Sequence, residues 1–322
     1  MEKFGQLTFD DNPVYVQLKK IYAVIEEGRF ETAEKMLEEI INMNIDAAEI
    51  YSSLKAVKFW INRRKKIDSS PGGLSKGDTL LSEWENFEKF VSAKGIEAKK
   101  TIAAVKKFVF RSVIDNYILD FQKREVADPA LLLRIAGAFL ANGEYARALD
   151  TLLYARKFKK KDAQIYALLG EAHYHLKNHK KARAFFREAF FINPAQVPVE
   201  SLNAEIITDL RKKIEDEGFI RKEINLWLPV FAELYDIFSV KRRLERREYD
   251  ELLQRIYKNE IEYNLDRKNR AIIEPILLYQ YLYLIGHYQA ENAGDADLKI
   301  ANVQRKIKNI NGQIYELARR QQ

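Results

Sequence analysis

The chain has 322 residues, of which 47% are hydrophobic and 31% are charged, and its formal net charge at pH 7 is +7. The absence of cysteine excludes a disulfide framework, a cysteine nucleophile and a thiolate metal site. The small excess of basic over acidic residues permits nucleic acid or an acidic surface as a partner and requires neither. Glycine and proline are scarce and no convincing run alternates β-branched residues, so the composition predicts an all-α fold.

The N-terminal segment, 1–67, is predicted to form helical hairpins. Pro13 suits the first turn of a helix over 14–27. A second helix is expected over 30–42 and a third over 47–63, each with apolar residues at helical spacing. We interpret 1–67 as degenerate repeat-like helices that extend the fold at its N-terminal side.

The clearest predicted linker is 68–78. It is rich in serine, proline and glycine, which favour turns over regular structure: Ser69, Ser70, Pro71, Gly72, Gly73, Ser75 and Gly77. A basic run occupies 63–66, immediately before this linker. Such charges suit the C-terminal end of a helix, where they oppose the partial negative charge of the helix dipole. A patch that binds the phosphates of nucleic acid is the alternative interpretation of the same run.

Residues 79–128 are predicted to form two connecting helices, near 78–93 and 97–125. Both segments carry large apolar residues at helical spacing. Asp128 and Pro129 then provide a helix N-cap and a first helical residue, which indicates that a new helix begins there.

A periodic pattern occurs twice between positions 129 and 196. The positions are Leu132, Ile135, Ala136, Phe139, Ala148, Leu152 and Ala155 in the first copy and Tyr166, Leu169, Gly170, His173, Ala182, Phe186 and Ala189 in the second. Small residues indicate where two helices approach closely, and large residues fill the space beside them. Every member of the second copy follows its counterpart at the same interval, and a fixed period of about 34 residues is typical of stacked repeats, in which each pair of helices buries its apolar face on a neighbour.

The two copies resemble two consecutive tetratricopeptide repeats, and the second copy matches the family pattern more closely. The residues that match the family pattern are Tyr166, Leu169, Gly170, Ala182, Phe186, Ala189 and Pro194. His173 stands where the family usually has tyrosine, and in the looser first copy Lys160 stands where the closing proline is expected. The resemblance covers 129–196 and implies a right-handed α-solenoid of helical hairpins, with irregular helical extensions at both ends. The usual role of that family is to bind another protein.

The resemblance also implies a binding surface, because the first helix of each hairpin lines the concave face of such a solenoid. The implied groove residues are Leu133, Arg134, Gly137, Leu140, Gln164, Ala167, Glu171, Tyr174 and His175. Tyr174 is the predicted anchor for a partner helix or an extended segment. The lysine and asparagine residues with which one subgroup grips acidic chaperone tails are absent, which argues against that partner. The chain's own C-terminal helices are the alternative occupant of the groove.

The C-terminal region, 197–322, loses the period but keeps the helical pattern. Helices are expected over 201–215 and over 226–264, the latter with a break near 235–244. Basic residues in the second half of this stretch are interleaved with acidic ones, which favours a solvated face with ion pairs four residues apart. The apolar segment 271–288 is interrupted and short for a membrane span, so it is predicted to be a buried helix.

The last predicted helix, 295–320, carries an apolar stripe whose spacings alternate between three and four residues. The stripe consists of Ile300, Val303, Ile307, Ile310, Ile314 and Leu317. Such spacing is typical of a coiled-coil seam. Two interpretations stay open: a capping helix that closes the solenoid, or a seam that joins copies of the chain into a homo-oligomer.

No catalytic, cofactor-binding or metal site is predicted. His173, His175 and His179 cluster, but the expected turn near 177–178 separates the last from the others, and no carboxylate completes a recognisable metal set. The sequence motifs of nucleotide-binding loops, zinc hydrolases and serine hydrolases are absent. We therefore expect a protein that is not an enzyme and that has no cofactor.

These patterns predict a scaffold for protein–protein interaction that binds a partner in the concave groove. One alternative is an oligomeric structural component of a bacterial assembly, such as flagellar or envelope machinery, joined through 295–320. A second is an RNA-binding repeat protein that uses the basic runs, although the interleaved acidic residues argue against nucleic acid. No signal peptide or membrane span is evident, so a cytoplasmic location is expected, or a periplasmic one if a leader or anchor has been removed.

Overall fold

The chain is almost entirely helical. The computed structural model describes residues 13–43, 48–216, 218, 221–238 and 242–319. These residues form fifteen α-helices and two 3-10 helices and contain no strand, which confirms the all-α prediction. Residues 1–12, where no signal peptide is predicted, lie outside the described part of the chain.

The chain divides into two compact units between Ala148 and Leu149. The boundary lies inside α7 (Tyr145–Phe158). The preceding helices are α1 (Pro13–Glu26), α2 (Phe30–Asn42), α3 (Ala48–Ser69), α4 (Leu74–Lys94), α5 (Lys99–Gln122) and α6 (Pro129–Ala141). From α1 to α6, each helix packs against the one before it in the chain, and α1 also packs against α5.

An aromatic cluster forms the core of the first unit. Trp60 of α3 stacks on Phe30 of α2, with ring centroids 6.2 Å apart, and lies 5.6 Å from Phe87 of α4. Trp84 of α4 is also buried and contacts the Phe87 ring at 5.6 Å. Since each large aromatic side chain removed from water stabilises a fold by about 1.5–3 kcal/mol, this cluster fixes α2, α3 and α4 against one another.

The loop predicted over 68–78 is shorter than expected, because only 70–73 separate α3 from α4. Gly73 has a φ of +81° and makes the turn. Gly77 instead lies within α4, where a Cβ would lie 2.3 Å from a ring carbon of Tyr117 on α5. The second glycine therefore permits the close approach of two helices and does not mark a loop.

The second unit is built around a buried central helix. Its helices are α8 (Ala163–His175), α9 (His179–Ile192), α10 (Glu205–Asp216), α11 (Arg221–Leu234), α12 (Arg246–Leu265), α13 (Arg270–Glu291), α14 (Ala296–Ile310) and α15 (Gly312–Arg319), with 3-10 helices at Pro194–Gln196 and Val199–Ser201. The central helix is α13, which packs against α11, α12 and α14, and Trp227 of α11 is buried. The prediction of a buried helix over 271–288 is confirmed. Within the described ranges, every helix is too short or too polar to cross a membrane.

The second copy of the repeat forms the α8–α9 hairpin. A Cβ on Gly170 of α8 would lie 2.7 Å from the ring of Phe186 on α9. Ala182 and Ala189 on α9 are fully buried. The small residues of the pattern therefore mark a close helix contact, as the sequence indicates.

The repeat period extends beyond the apolar positions. Asp128 and Asp162 lie one period apart, and each caps a helix by accepting a hydrogen bond from a backbone N–H of its first turn. Gly143 and Lys177 are also one period apart, and both have positive φ, at 81° and 63°. The two copies therefore share their helix starts and their turns as well as their packing positions.

The prediction of one continuous helix over 295–320 is wrong, and residue 320 lies outside the described part of the chain. Two helices, α14 and α15, meet at Asn311, whose backbone is extended. The Asn311 Oδ1 accepts the N–H of Ile314 at 3.0 Å, and its Nδ2 donates to Glu274 of α13 at 2.8 Å. Because Asn311 caps α15 and is anchored on α13, the helix is interrupted at this residue.

Candidate functional site

On α6, the predicted groove residues lie at the surface of the first unit. They are partly or fully exposed: Leu133, Arg134, Gly137 and Leu140. The Arg134 Nη1 donates to Asp78 Oδ1 of α4 at 2.7 Å, and the same oxygen accepts the Tyr117 hydroxyl at 2.6 Å. Burial, with Asp78 as a second cause, raises the pKa of Tyr117 well above its usual range. The α6 face is therefore accessible, with Arg134 held by a carboxylate of its own unit.

On α8, the chain itself covers part of the predicted groove. Ala167 and Glu171 are buried, Tyr174 and His175 are partly exposed, and Gln164 is exposed. The expectation that all five residues face a partner is therefore not met for Ala167 and Glu171. A partner could reach these two side chains only after the covering segment had moved.

The covering segment is the stretch that leads into α10. The Glu171 carboxylate accepts the backbone N–H groups of Asn203 at 2.8 Å and Ala204 at 3.1 Å. The Tyr174 hydroxyl donates to Glu205 Oε2 at 3.2 Å. A buried carboxylate requires such donors, because burial of an unpaired charge is costly. Residues 203–205 therefore cover part of the α8 face.

Of the three clustered histidines, His175 and His179 both lie against the Tyr174 ring, whereas His173 lies elsewhere. His173 is buried and its ring stacks on Phe185, with centroids 5.2 Å apart. Burial, with Lys181 as a second cause, lowers the pKa of His173. His179 is exposed, and its ring lies 5.0 Å from that of Tyr174. Throughout the described ranges, the structure contains no group of three or more histidine, cysteine, aspartate or glutamate side chains suited to holding a metal ion.

The candidate oligomer seam is divided between α14 and α15. Half of its residues are partly exposed, namely Ile300, Ile310 and Leu317. The other half are buried, namely Val303, Ile307 and Ile314. These helices pack against each other, and α14 packs against α13. The buried half of the stripe is used inside the chain, as the interpretation of a capping helix expects.

The basic run at 63–66 is held by carboxylates of the first unit. Arg63 Nε and Lys66 Nζ both contact the Glu83 carboxylate, at 3.1 and 2.6 Å. Their hydrogen bonds and charges outweigh the burial of that carboxylate, so the pKa of Glu83 is lowered although burial by itself would raise it. This pairing favours the interpretation of 63–66 as a structural feature over that of a phosphate-binding track.

The exposed face of α12 is a continuous apolar row, which we call the α12 stripe. Its four residues follow one another at intervals of four and are 37%, 67%, 40% and 80% exposed: Leu253, Tyr257, Ile261 and Leu265. Residues four apart lie on one side of a helix, so the row spans about three turns. A second side of α12, about 100° around the helix, is buried at Leu252 and Ile256. This helix is therefore apolar on two sides, and only one of them is used by the described residues of its unit.

Beside the α12 stripe lies a cavity of about 480 Å³, which we call the α12 cleft. Its walls come from the segment before α8, from α8, from the end of α9 and from α12. The lining residues are Lys161, Tyr166, Glu188, Phe191, Ile192, Glu248, Glu251, Gln254, Arg255 and Lys258. Its volume lies within the range of about 300–1,000 Å³ that is usual for ligand sites.

The carboxylates of the α12 cleft are neutralised by nearby cations. Arg242 belongs to the second basic run, of which residue 241 lies outside the described part of the chain. Its guanidinium bonds to Glu188 at 2.8 Å and to Glu248 at 2.7 Å. The hydrogen bond from Arg242 lowers the pKa of Glu248. Glu251 contacts Lys161 at 3.1 Å and Arg247 at 3.0 Å. All three lining carboxylates are therefore paired.

Arg255 differs from the other cations that line the α12 cleft. Its Nη1 donates to the Phe191 carbonyl at 2.9 Å, and its guanidinium lies over the Phe191 ring at 4.6 Å. Its Nε is buried and has no hydrogen-bond partner. Lys161 and Lys258 make ion pairs, with Glu251 and Glu262, whereas Arg255 makes none with any described residue. Burial lowers the pKa of Arg255, and the charge of Glu251 only partly opposes that effect.

The sequence-based predictions included the ion pairs of α12, such as that between Arg247 and Glu251, but neither the α12 stripe nor the α12 cleft. The i, i+4 spacing of the stripe residues could have indicated a second apolar side of this helix. By contrast, no local pattern indicates the α12 cleft, since Lys161 and Glu251 meet across 90 residues of sequence.

Comparisons of this chain with protein-family models, with curated proteins and with solved structures find no match. An assignment of function therefore depends on the geometry of the chain itself.

Proposed function

We propose that the chain is a tetratricopeptide-type α-solenoid that acts by binding a helix of another protein, and that the α12 stripe is a principal contact surface. The observation that carries this proposal is the exposure of Leu253, Tyr257, Ile261 and Leu265 along one side of α12. Isolated exposed apolar residues are normal on protein surfaces, but a contiguous row of them marks an interaction site.

The dimensions and chemistry of the stripe suit a helical partner. From Leu253 to Leu265 the row is about 18 Å long, at 1.5 Å per residue. An amphipathic partner helix presents apolar residues with the same three-to-four-residue spacing. Tyr257 stands at the middle of the row and is the expected anchor, because aromatic residues often dominate interface energetics. Asp250 and Lys258, both exposed, flank the row and would help to fix the register of the partner.

The groove predicted from the repeat pattern remains part of this proposal on α6. Leu133, Gly137 and Leu140 are accessible there. On α8 the same function requires release of the segment that bonds to Glu171, which makes α8 the weaker candidate. The basic runs lend little support to RNA binding, because Arg63 and Arg242 are paired with carboxylates.

Site-specific photocrosslinking tests the proposal. A photoreactive phenylalanine analogue at position 257 of the full chain, in its source cells, is expected to crosslink to a partner protein. That partner, once purified, is expected to bind the unmodified chain and to lose at least about tenfold in affinity with Tyr257→Asp, since a charge would then face the apolar contact.

A matched control is available on α14. Leu298 is 68% exposed and lies outside the α12 stripe, so Leu298→Asp introduces the same charge at an equally exposed apolar residue. Leu298→Asp is expected to leave partner binding unchanged. Equal losses with the two variants, or none with either, would contradict the role of the stripe. A crosslink to a second copy of the chain would replace the proposal with self-association through α12.

A further inference from the structure

The α12 cleft combines apolar side chains with a guanidinium that makes no ion pair with any described residue. The Phe191 ring lies between the Tyr283 ring, at 4.1 Å, and the Arg255 guanidinium, at 4.6 Å. Tyr166 and Ile192 extend the apolar lining. A ligand that enters this cavity would therefore meet aromatic and aliphatic side chains as well as a guanidinium.

The carboxylates around the cleft leave Arg255 without an ion pair among the described residues. Five cations lie in or beside it, namely Lys161, Arg242, Arg247, Arg255 and Lys258. Four carboxylates pair with them, namely Glu188, Glu248, Glu251 and Glu262. Each of these carboxylates makes its ion pair with a cation other than Arg255, which bonds only to a backbone carbonyl. A guanidinium satisfied in this way retains spare N–H donors that match a carboxylate.

We propose that the α12 cleft binds a carboxylate carried by an apolar or aromatic residue of a partner peptide, with Arg255 as the counter-charge. This proposal rests on the proposed function, because it assigns the partner a chemical feature next to the α12 stripe. The stripe and the cleft adjoin on one helix, since Gln254 and Lys258 line the cleft and follow Leu253 and Tyr257 directly in sequence. A helix that lies on the stripe can therefore place its terminal residue or an acidic side chain in the cleft.

The carboxylate has two possible sources in a peptide, which short probes distinguish. One probe is acetyl-Ala-Ala-Phe with a free C-terminal carboxylate, and the second is the same peptide as its C-terminal amide. A third, acetyl-Glu-Phe amide, carries its charge on a side chain. Calorimetric titration of the unaltered full chain is expected to give a dissociation constant of about 1 mM or tighter for at least one charged probe. The neutral amide is expected to bind at least tenfold more weakly.

Variants of the chain then locate the site. Arg255→Gln is expected to remove the preference for the charged probe, and Arg255→Lys to retain part of it. Arg246→Gln is the matched control, because it removes the same charge from an exposed position of the same helix outside the cleft lining. Circular dichroism spectra of all variants show whether they are folded. The comparison of the charged and neutral probes on the unaltered chain does not depend on any variant.

Equal affinity for the charged and neutral probes, or no binding of any probe, would overturn this proposal. So would a preference for charge that survives Arg255→Gln or that is lost in Arg246→Gln. The result is separable from the test of the stripe. If Tyr257→Asp abolishes partner binding while no probe binds, the cleft proposal fails alone. If a charged probe binds while Tyr257→Asp changes nothing, the stripe fails and the cleft stands.

Discussion

At the scale of single residues, the turn of the second repeat contains a backbone strain that its counterpart in the first repeat avoids. Lys177 has a φ of 63°, whereas the equivalent position of the first repeat is Gly143 with a φ of 81°. Left-handed backbone disfavours residues that have a Cβ. We expect Lys177→Gly to stabilise the chain by about 0.5–1 kcal/mol, measured as an upward shift of the urea midpoint.

The reciprocal substitution provides the control for this expectation. Gly143→Lys places a side chain in the same backbone conformation and is expected to destabilise the chain by about 0.5–1 kcal/mol. A Cβ built at Gly143 has no atom within 4 Å apart from its chain neighbours and helix backbone. The change in stability therefore reports backbone strain and not a steric clash. Shifts of the same sign in the two variants would show that local backbone strain is not the cause.

Two buried histidines predict a loss of stability in mild acid. Burial is the largest cause of the lowered pKa of His173 and also of His287, whose Nδ1 accepts the Leu244 N–H at 3.0 Å. The unfolded chain therefore binds protons at a higher pH than the native chain does. The stabilising contribution is complete above the unfolded pKa of about 6.5 and is lost as the pH falls from there towards the lower native pKa values.

The pH dependence can be measured as the urea midpoint between pH 8 and pH 5. We expect the midpoint to fall below about pH 6.5 and the fall to be smaller in His287→Gln, which has one fewer titrating group. Glu291 opposes the pKa shift of His287, while Arg243 and Lys299 support it. A midpoint that is constant over this range would show that neither histidine contributes to folding in this way.

At the scale of helices, substitution by alanine is expected to have opposite effects on stability at Gly170, which lies at a close helix contact, and at Gly137, which does not. A Cβ on Gly170 would lie 2.7 Å from the buried Phe186 ring, so Gly170→Ala is expected to force α8 and α9 apart at a cost of about 1–3 kcal/mol. Gly137 of α6 has no such neighbour within 4 Å, so Gly137→Ala is expected to stabilise by about 0.5–1 kcal/mol through helix propensity. Thermal unfolding of both variants measures the contrast, and destabilisation by both would refute it.

Helices were predictable where their signals are local. The apolar spacing and caps that define α6 and α8 lie within single segments, and the repeat period includes Asp128 and Asp162. Where a long-range contact decides the outcome, the local signal is misleading. Gly77 indicates a loop but packs against Tyr117, and Asn311 interrupts a regular stripe because Glu274 and the α15 N-terminus bind its side chain.

The candidate sites show the same limit. The i, i+4 spacing of the α12 stripe was present in the sequence, but only the structure distinguishes its exposed row from the buried row at Leu252 and Ile256. Of the implied groove residues, Leu133 is partly exposed, whereas Glu171 is buried. Besides the His175 ring, one turn away, two backbone donors 32 and 33 residues away bond to the Glu171 carboxylate, and no local pattern could reveal these two.

At the scale of the whole molecule, the last two helices contribute to the stability of the second unit. Ile307 is fully buried, so Ile307→Asp would bury a charge and is expected to destabilise the chain by more than about 3 kcal/mol. Light scattering and urea unfolding together test this expectation. A variant of unchanged stability and smaller mass would instead establish 300–317 as an oligomer seam.

The placement of the three tryptophans gives each unit an optical reporter of its own. Trp60 and Trp84 lie in the core of the first unit, and Trp227 is buried in the second. Emission from a chain with Trp60→Phe and Trp84→Phe would arise from Trp227 alone, and the reverse set would follow the first unit. Fluorescence can therefore reveal whether the two units melt in one transition or in two, without any attached dye.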